Sequence, residues 1–159
     1  MKCTPPLVPL LASVSLMSAW AQTPHGHSPH AAHTTNPDTR QLVKFPPRLE
    51  RNTLATMRKH LQGLAEVQQA LAERHFDQAA QVATMTLGMS SMRGDQADEE
   101  AKYMPPDMKK LGMQLHQRAE EFALAAQEAA VTGDTHKPLL LLSRMMQTCV
   151  ACHATYRLR

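Results

Sequence analysis

The stretch Cys149-Val150-Ala151-Cys152-His153 lies close to the C-terminus of this 159-residue chain. If it is helical, residues three and four apart share one face, so the two thiols and the imidazole project to the same side. Two thiols at this spacing can bond to the two vinyl groups of one haem, and the next histidine can bind its iron. The stretch therefore predicts a helix that carries one covalent haem c. Its anchors are Cys149 and Cys152, and its proximal iron ligand is His153.

Two other sites use paired cysteines. A dithiol redox pair is typical of a helix start near a βαβ pattern, and no convincing strand precedes Cys149. A zinc site would need a fourth ligand at a recognisable spacing, and none follows His153. The sequence favours haem attachment over both.

The N-terminus has the pattern of an export signal. Lys2 gives a positive start, Leu7–Met17 is apolar but too short to span a bilayer, and Ala19-Trp20-Ala21 fits a small-x-small cleavage site. We expect residues 1–21 to be a signal peptide that is cleaved after Ala21, which predicts a periplasmic protein without stable membrane insertion. An uncleaved membrane anchor is the alternative.

The mature chain is nearly neutral and contains few cysteines. Cleavage removes Cys3, so both remaining cysteines belong to the motif, and loss of Lys2 from 17 basic residues leaves 16 against 14 acidic ones. No Lys/Arg cluster with interleaved aromatic residues is present, which argues against nucleic acid as a partner. The 4% aromatic content favours helices over sheets.

Residues 22–46 are predicted to form a flexible tail that is rich in proline, threonine, serine and histidine. Four histidines fall within nine residues: His25, His27, His30 and His33. We interpret the segment as a linker. The alternative is a metal-handling role, since imidazole suits copper, zinc and nickel.

The remaining residues, 47–159, show the apolar spacing of four helices. These run over about 47–73, 78–87 and 107–131, and from about 135 through the motif. A polar connection is expected over 89–104. The predicted buried stripe of the first helix consists of Leu54, Met57, Leu61, Leu64 and Leu71.

Four helices with this motif near the end of the last resemble the cytochrome c′ family, the class II c-type cytochromes. The run from Cys149 through Tyr156-Arg157 is similar to that family's C-terminal signature. The resemblance implies an all-α, antiparallel four-helix bundle with haem bound near the C-terminal helix. It also implies a possible homodimer, and Arg51 as a first-helix arginine that contacts a haem propionate.

The family divides by the residue on the distal side of the iron. A first-helix methionine makes a low-spin electron carrier, and we predict Met57 in that role. An apolar blocker, here Leu54, leaves a vacant site that binds NO or CO. His60 is off the main stripe and is expected at the rim or in solvent.

The function expected from the sequence is a periplasmic electron carrier that exchanges single electrons with redox partner proteins. It is not expected to be an enzyme, because no constellation of catalytic acid, base and nucleophile stands out. Gas binding and metal handling by the tail are the alternatives.

Overall fold

The structure, a computed structural model, describes residues 37–93 and 95–158. The predicted signal peptide, its cleavage site and the four clustered histidines lie outside the described residues.

The described chain is all-α apart from one short strand pair, which confirms the predicted helical bundle. The helices are α1 (Pro47–Ala72), α2 (Phe76–Thr86), α3 (Asp95–Ala101), α4 (Pro106–Thr132) and α5 (His136–Thr155), with a 3₁₀ turn at Met89–Met92. The strands β1 (Gln41–Leu42) and β2 (Tyr156–Arg157) pair in parallel, with Gln41 opposite Tyr156.

Proline and glycine determine where several helices begin and end. Prolines occupy the first turns of α1 and α4, where a missing N–H costs no hydrogen bond. Gly133 ends α4 in the left-handed conformation, with φ of 76°, and its N–H bonds to the Ala129 carbonyl. These are the breaks that the sequence predicts.

Two local predictions were wrong. The expected polar connection contains the 3₁₀ turn and α3, because alanine and glutamate are good helix formers. Glu99 of α3 also forms an ion pair with Arg48 of α1. Helix α2 begins at Phe76 and not at Gln78. Asp77 therefore lies in its first turn, where the helix dipole stabilises a carboxylate.

The main core lies where α1 packs on α2, α2 on α4 and α4 on α5. Its fully buried side chains include Val67, Leu87, Phe122 and Met145. Phe122, Leu115 and Ala129 supply the α4 side of this core, and Leu142 and Met145 supply the α5 side.

Helix α1 is rotated relative to the prediction. Leu64 and Leu71 of the predicted stripe are buried, but Leu61 is 69% exposed. The other buried residues include Thr53, His60, Gly63 and Val67. Gly63 explains the rotation, since a Cβ there would come within 2.9 Å of the Thr86 Cβ on α2. This close approach turns the Gly63 face of α1 toward α2 and moves His60 into the interior.

A smaller cluster closes the end of the bundle at which α5 ends. It is formed by Val43, Phe45, Leu49 and Tyr156, with Cys152 packed against it. The compact unit begins at Asp38, so residues 38–46, which were expected to be tail, belong to the packed structure. No helix within the described ranges is long and apolar enough to cross a membrane.

Candidate functional site

The two motif thiols lie on α5 at the boundary between the two apolar clusters. Cys149 packs against the main core, and Cys152 packs against the smaller cluster. Both are half-buried, and their spacing of three residues places them on one face of the helix. A planar apolar group held by both sulfurs would therefore contact both clusters.

Burial keeps both thiols protonated. It raises the pKa of Cys149, and it raises the pKa of Cys152 together with the nearby Cys149 thiol. The Cys149 Sγ lies 3.9 Å from the Met145 carbonyl one turn back along α5. These thiols are thus neutral and partly shielded from water.

His153 is exposed and faces the side of the bundle where α1 lies. One contact establishes this direction: the Gln68 Nε2 of α1 donates to the Met146 Sδ of α5 at 3.7 Å. At about 100° per residue, His153 is only about 20° around α5 from Met146. The His153 position is therefore on the side of α5 that faces α1.

The space between α1 and α5 is the open side of the bundle. The pairs α1 with α2, α2 with α4 and α4 with α5 pack extensively, whereas α1 and α5 make no comparable approach within the described chain. Large apolar side chains nevertheless face it. Met57 and Leu61 lie within about 20° of Gln68 around α1, and they are 37% and 69% exposed. We call this region the α1–α5 seam.

The predicted distal residues share the seam with His153. Counted from the Gln68–Met146 contact, Met57 and His153 lie toward the same end of the bundle. Along the bundle axis they are separated by about one helical turn. Leu54 is half-buried and about 40° around α1 from Gln68, so it borders the same space. The structure thus places Met57 and Leu54 beside the same space as His153.

Arg51 lies elsewhere on the surface of α1. It is exposed and about 120° around the helix from Met57. Its contact with a haem propionate stays a prediction.

Sequence reasoning missed an ion cluster beside the motif. Arg40 donates to the His153 carbonyl at 3.3 Å and forms an ion pair with Asp38 at 2.8 Å. Arg157 lies 3.5 Å from the same carboxylate. Hydrogen bonds from Arg40 lower the pKa of Asp38 to about 2. The only sequence signal was Arg157 in the C-terminal run, because Arg40 was assigned to the tail.

The prediction for His60 was wrong. It lies in the bundle interior, 7% exposed, and its ring meets that of His116 from α4 edge to face, with centroids 5.8 Å apart. Burial, with a smaller contribution from His116, lowers the pKa of His60 to about 4, and burial also lowers the pKa of His116. Both imidazoles are therefore neutral at neutral pH.

Comparison of the chain with protein-family models, curated proteins and solved structures found no match in any of the three. The site must therefore be interpreted from its own chemistry.

Proposed function

We propose that this protein is an exported c-type cytochrome that carries single electrons between redox partner proteins in the periplasm. The observation that supports it best is the position of the motif: His153 borders an open seam lined by exposed apolar side chains, and Cys149 and Cys152 lie half-buried on the same helix between the two apolar clusters. Water-exposed leucine and methionine on two facing helices leave apolar surface that a bound porphyrin would remove from solvent.

The residues present fit a covalently held haem. Cys149 and Cys152 would hold it, because each thiol can add across one vinyl double bond without losing atoms. His153 is exposed and free of the core packing that would fix its ring, so it can serve as the proximal ligand. Haem supplies a one-electron iron couple when bound.

The chain's own residues would set the reduction potential of the haem iron. With a porphyrin bound in the seam, Leu61 and Met57 would exclude water from its α1 side, which would lower the local dielectric constant. The Met57 thioether is a neutral ligand of the kind that raises the potential of haem iron. We therefore propose Met57 as the distal ligand and expect no catalysis by the protein alone.

Spectroscopy of the exported full-length chain tests this function. Expression in a host with cytochrome maturation should give a coloured protein whose reduced form has a low-spin spectrum. The matched control is the double variant Cys149→Ser/Cys152→Ser, which should carry no covalent haem. A colourless wild-type protein from that host would refute the proposal.

The Met57→Ala variant decides between electron transfer, with Met57 as an iron ligand, and gas binding at a vacant site. If Met57 binds the iron, its removal should convert the reduced spectrum to high-spin and open a site for carbon monoxide. Leu61→Ala is the control, since Leu61 borders the same seam without a ligating atom. A wild-type spectrum that is already high-spin, with ready carbon monoxide binding, would instead favour gas binding behind Leu54.

A further inference from the structure

The charges of α1 are distributed against the preference of a helix. The helix dipole favours anions near the start of a helix and cations near its end. The first half of α1 instead carries four exposed cations, and its last turn contains no basic residue. Glu50 is the one acidic residue of that half, and the cations are Arg48, Arg51, Arg58 and Lys59. Helix stability therefore does not account for this arrangement.

Most of these cations have no compensating carboxylate. Arg48 forms an ion pair with Glu99 of α3. Arg51, Arg58 and Lys59 form no ion pair within residues 37–93 and 95–158. Uncompensated charges of one sign repel each other and destabilise the compact state. An anionic surface on another molecule would remove that repulsion.

The three unpaired cations lie on one face of α1, next to the seam. Arg51 and Arg58 are within about 20° of each other around the helix and about 10 Å apart along it, and Lys59 is about 80° from Arg51. Arg58 is only about 60° around α1 from Leu61, whose 69% exposed side chain borders the seam. We call Arg51, Arg58 and Lys59 the basic face of α1. A molecule that covers this face also lies beside the α1–α5 seam.

We propose that the basic face of α1 is the docking surface for a redox partner protein that presents clustered carboxylates. The proposal rests on the proposed function, since it places the partner beside the seam that would hold the haem. Complementary charges on two proteins steer their encounter and speed their association. A membrane is the less suitable occupant, because anionic lipids are recognised by clusters of about four to eight basic residues.

Charge reversal at two adjacent basic pairs tests the proposal. Arg58→Glu/Lys59→Glu reverses two of the three cations, and Arg51 is kept so that its predicted propionate contact is unaffected. The matched control is Lys109→Glu/Lys110→Glu, which reverses two adjacent exposed cations of α4 and changes the net charge equally. Circular dichroism of both variants establishes that they keep the helical fold.

The first measurement does not require haem. It compares binding of the full-length protein to immobilised poly-L-glutamate at ionic strengths of about 0.01 and 0.15 M, where charges are screened beyond about 30 and 8 Å. At low salt we expect Arg58→Glu/Lys59→Glu to bind at least about tenfold more weakly than wild type, and the α4 control to change by at most about threefold. Equal weakening in the two folded variants would overturn the proposal. Tighter binding to phosphatidylglycerol vesicles than to polyglutamate, lost on reversal of the same pair, would overturn the assignment to a protein partner.

The second measurement uses the haem-loaded protein. Ferricyanide takes one electron from the ferrous haem, which leaves ferric haem and ferrocyanide. At low salt, Arg58→Glu/Lys59→Glu should slow this oxidation and speed oxidation by the cation tris(phenanthroline)cobalt(III), whereas the α4 control should change neither rate by more than about twofold. Rates that shift equally in the two variants would overturn the proposal. A colourless protein whose polyglutamate binding still depends on Arg58 and Lys59 would refute the proposed function but not the docking surface.

Discussion

The two helical glycines Gly63 and Gly112 provide a matched test of the packing that places α1. A Cβ on Gly112 of α4 would meet no atom within 4 Å, so Gly112→Ala should bring only the helix-propensity gain of about 1 kcal/mol. A Cβ on Gly63 would lie 2.9 Å from the Thr86 Cβ and still closer to its hydroxyl oxygen. Real Cβ atoms essentially never come so close, so one helix must move.

Thr86 has little room to yield. Its branched side chain is stiff at χ1, and its hydroxyl donates to the Val82 carbonyl at 2.7 Å, a bond that rotation would break. Overpacking of this kind costs about 1–3 kcal/mol, so the propensity gain leaves Gly63→Ala neutral to about 2 kcal/mol less stable than wild type. The two variants should thus differ by about 1–3 kcal/mol in the free energy of unfolding.

Thermal and urea unfolding followed by circular dichroism measures this difference. For a domain of this size, 1 kcal/mol shifts the midpoint by about 4 °C. Gly112→Ala should melt above wild type, and Gly63→Ala at or below it. If Gly63→Ala raised the midpoint as much as Gly112→Ala, the close approach of α1 and α2 would be wrong, and so would the rotation that buries His60.

Two further predictions concern the core and the ion cluster. Phe122→Ala removes a fully buried ring and should lower the free energy of unfolding by about 3–5 kcal/mol. Leu124→Ala, on the exposed face of α4, should change it by no more than about 0.5 kcal/mol. Comparable losses in the two variants would contradict the assigned core. The pKa of Asp38 is lowered from 3.8 to about 2, so its contribution to stability is present above about pH 4 and is lost as the pH falls through 2. An NMR titration should show this carboxyl titrating near pH 2 in wild type and near its ordinary value in Arg40→Ala, and an ordinary value in wild type would refute the Arg40 contact.

Features that depend on local sequence could be predicted. Pro47, Pro106 and Gly133 constrain their own backbone, so three helix boundaries were close to correct. The start of the last helix, expected at about residue 135, was also close to the observed start at His136. Alanine and glutamate in α3 are helix formers, but a seven-residue helix is too short to give a clear period.

Features that depend on distant contacts could not be predicted. The rotation of α1 follows from the approach of Gly63 to Thr86, and a glycine alone does not show which helix it will meet. The pairing of β1 with β2 joins residues more than a hundred positions apart, so Arg40 could not be placed beside His153. His60 looked like a rim residue because polar side chains are usually exposed.

The most direct test of the account is the intact mass of the mature chain, purified from a host that matures c-type cytochromes, together with the number of alkylatable thiols after denaturation. The account predicts the polypeptide mass plus one haem, an iron spectrum that survives denaturation and extraction, and no reactive thiol at Cys149 or Cys152. A mass equal to the bare polypeptide, with two reactive thiols, would contradict it.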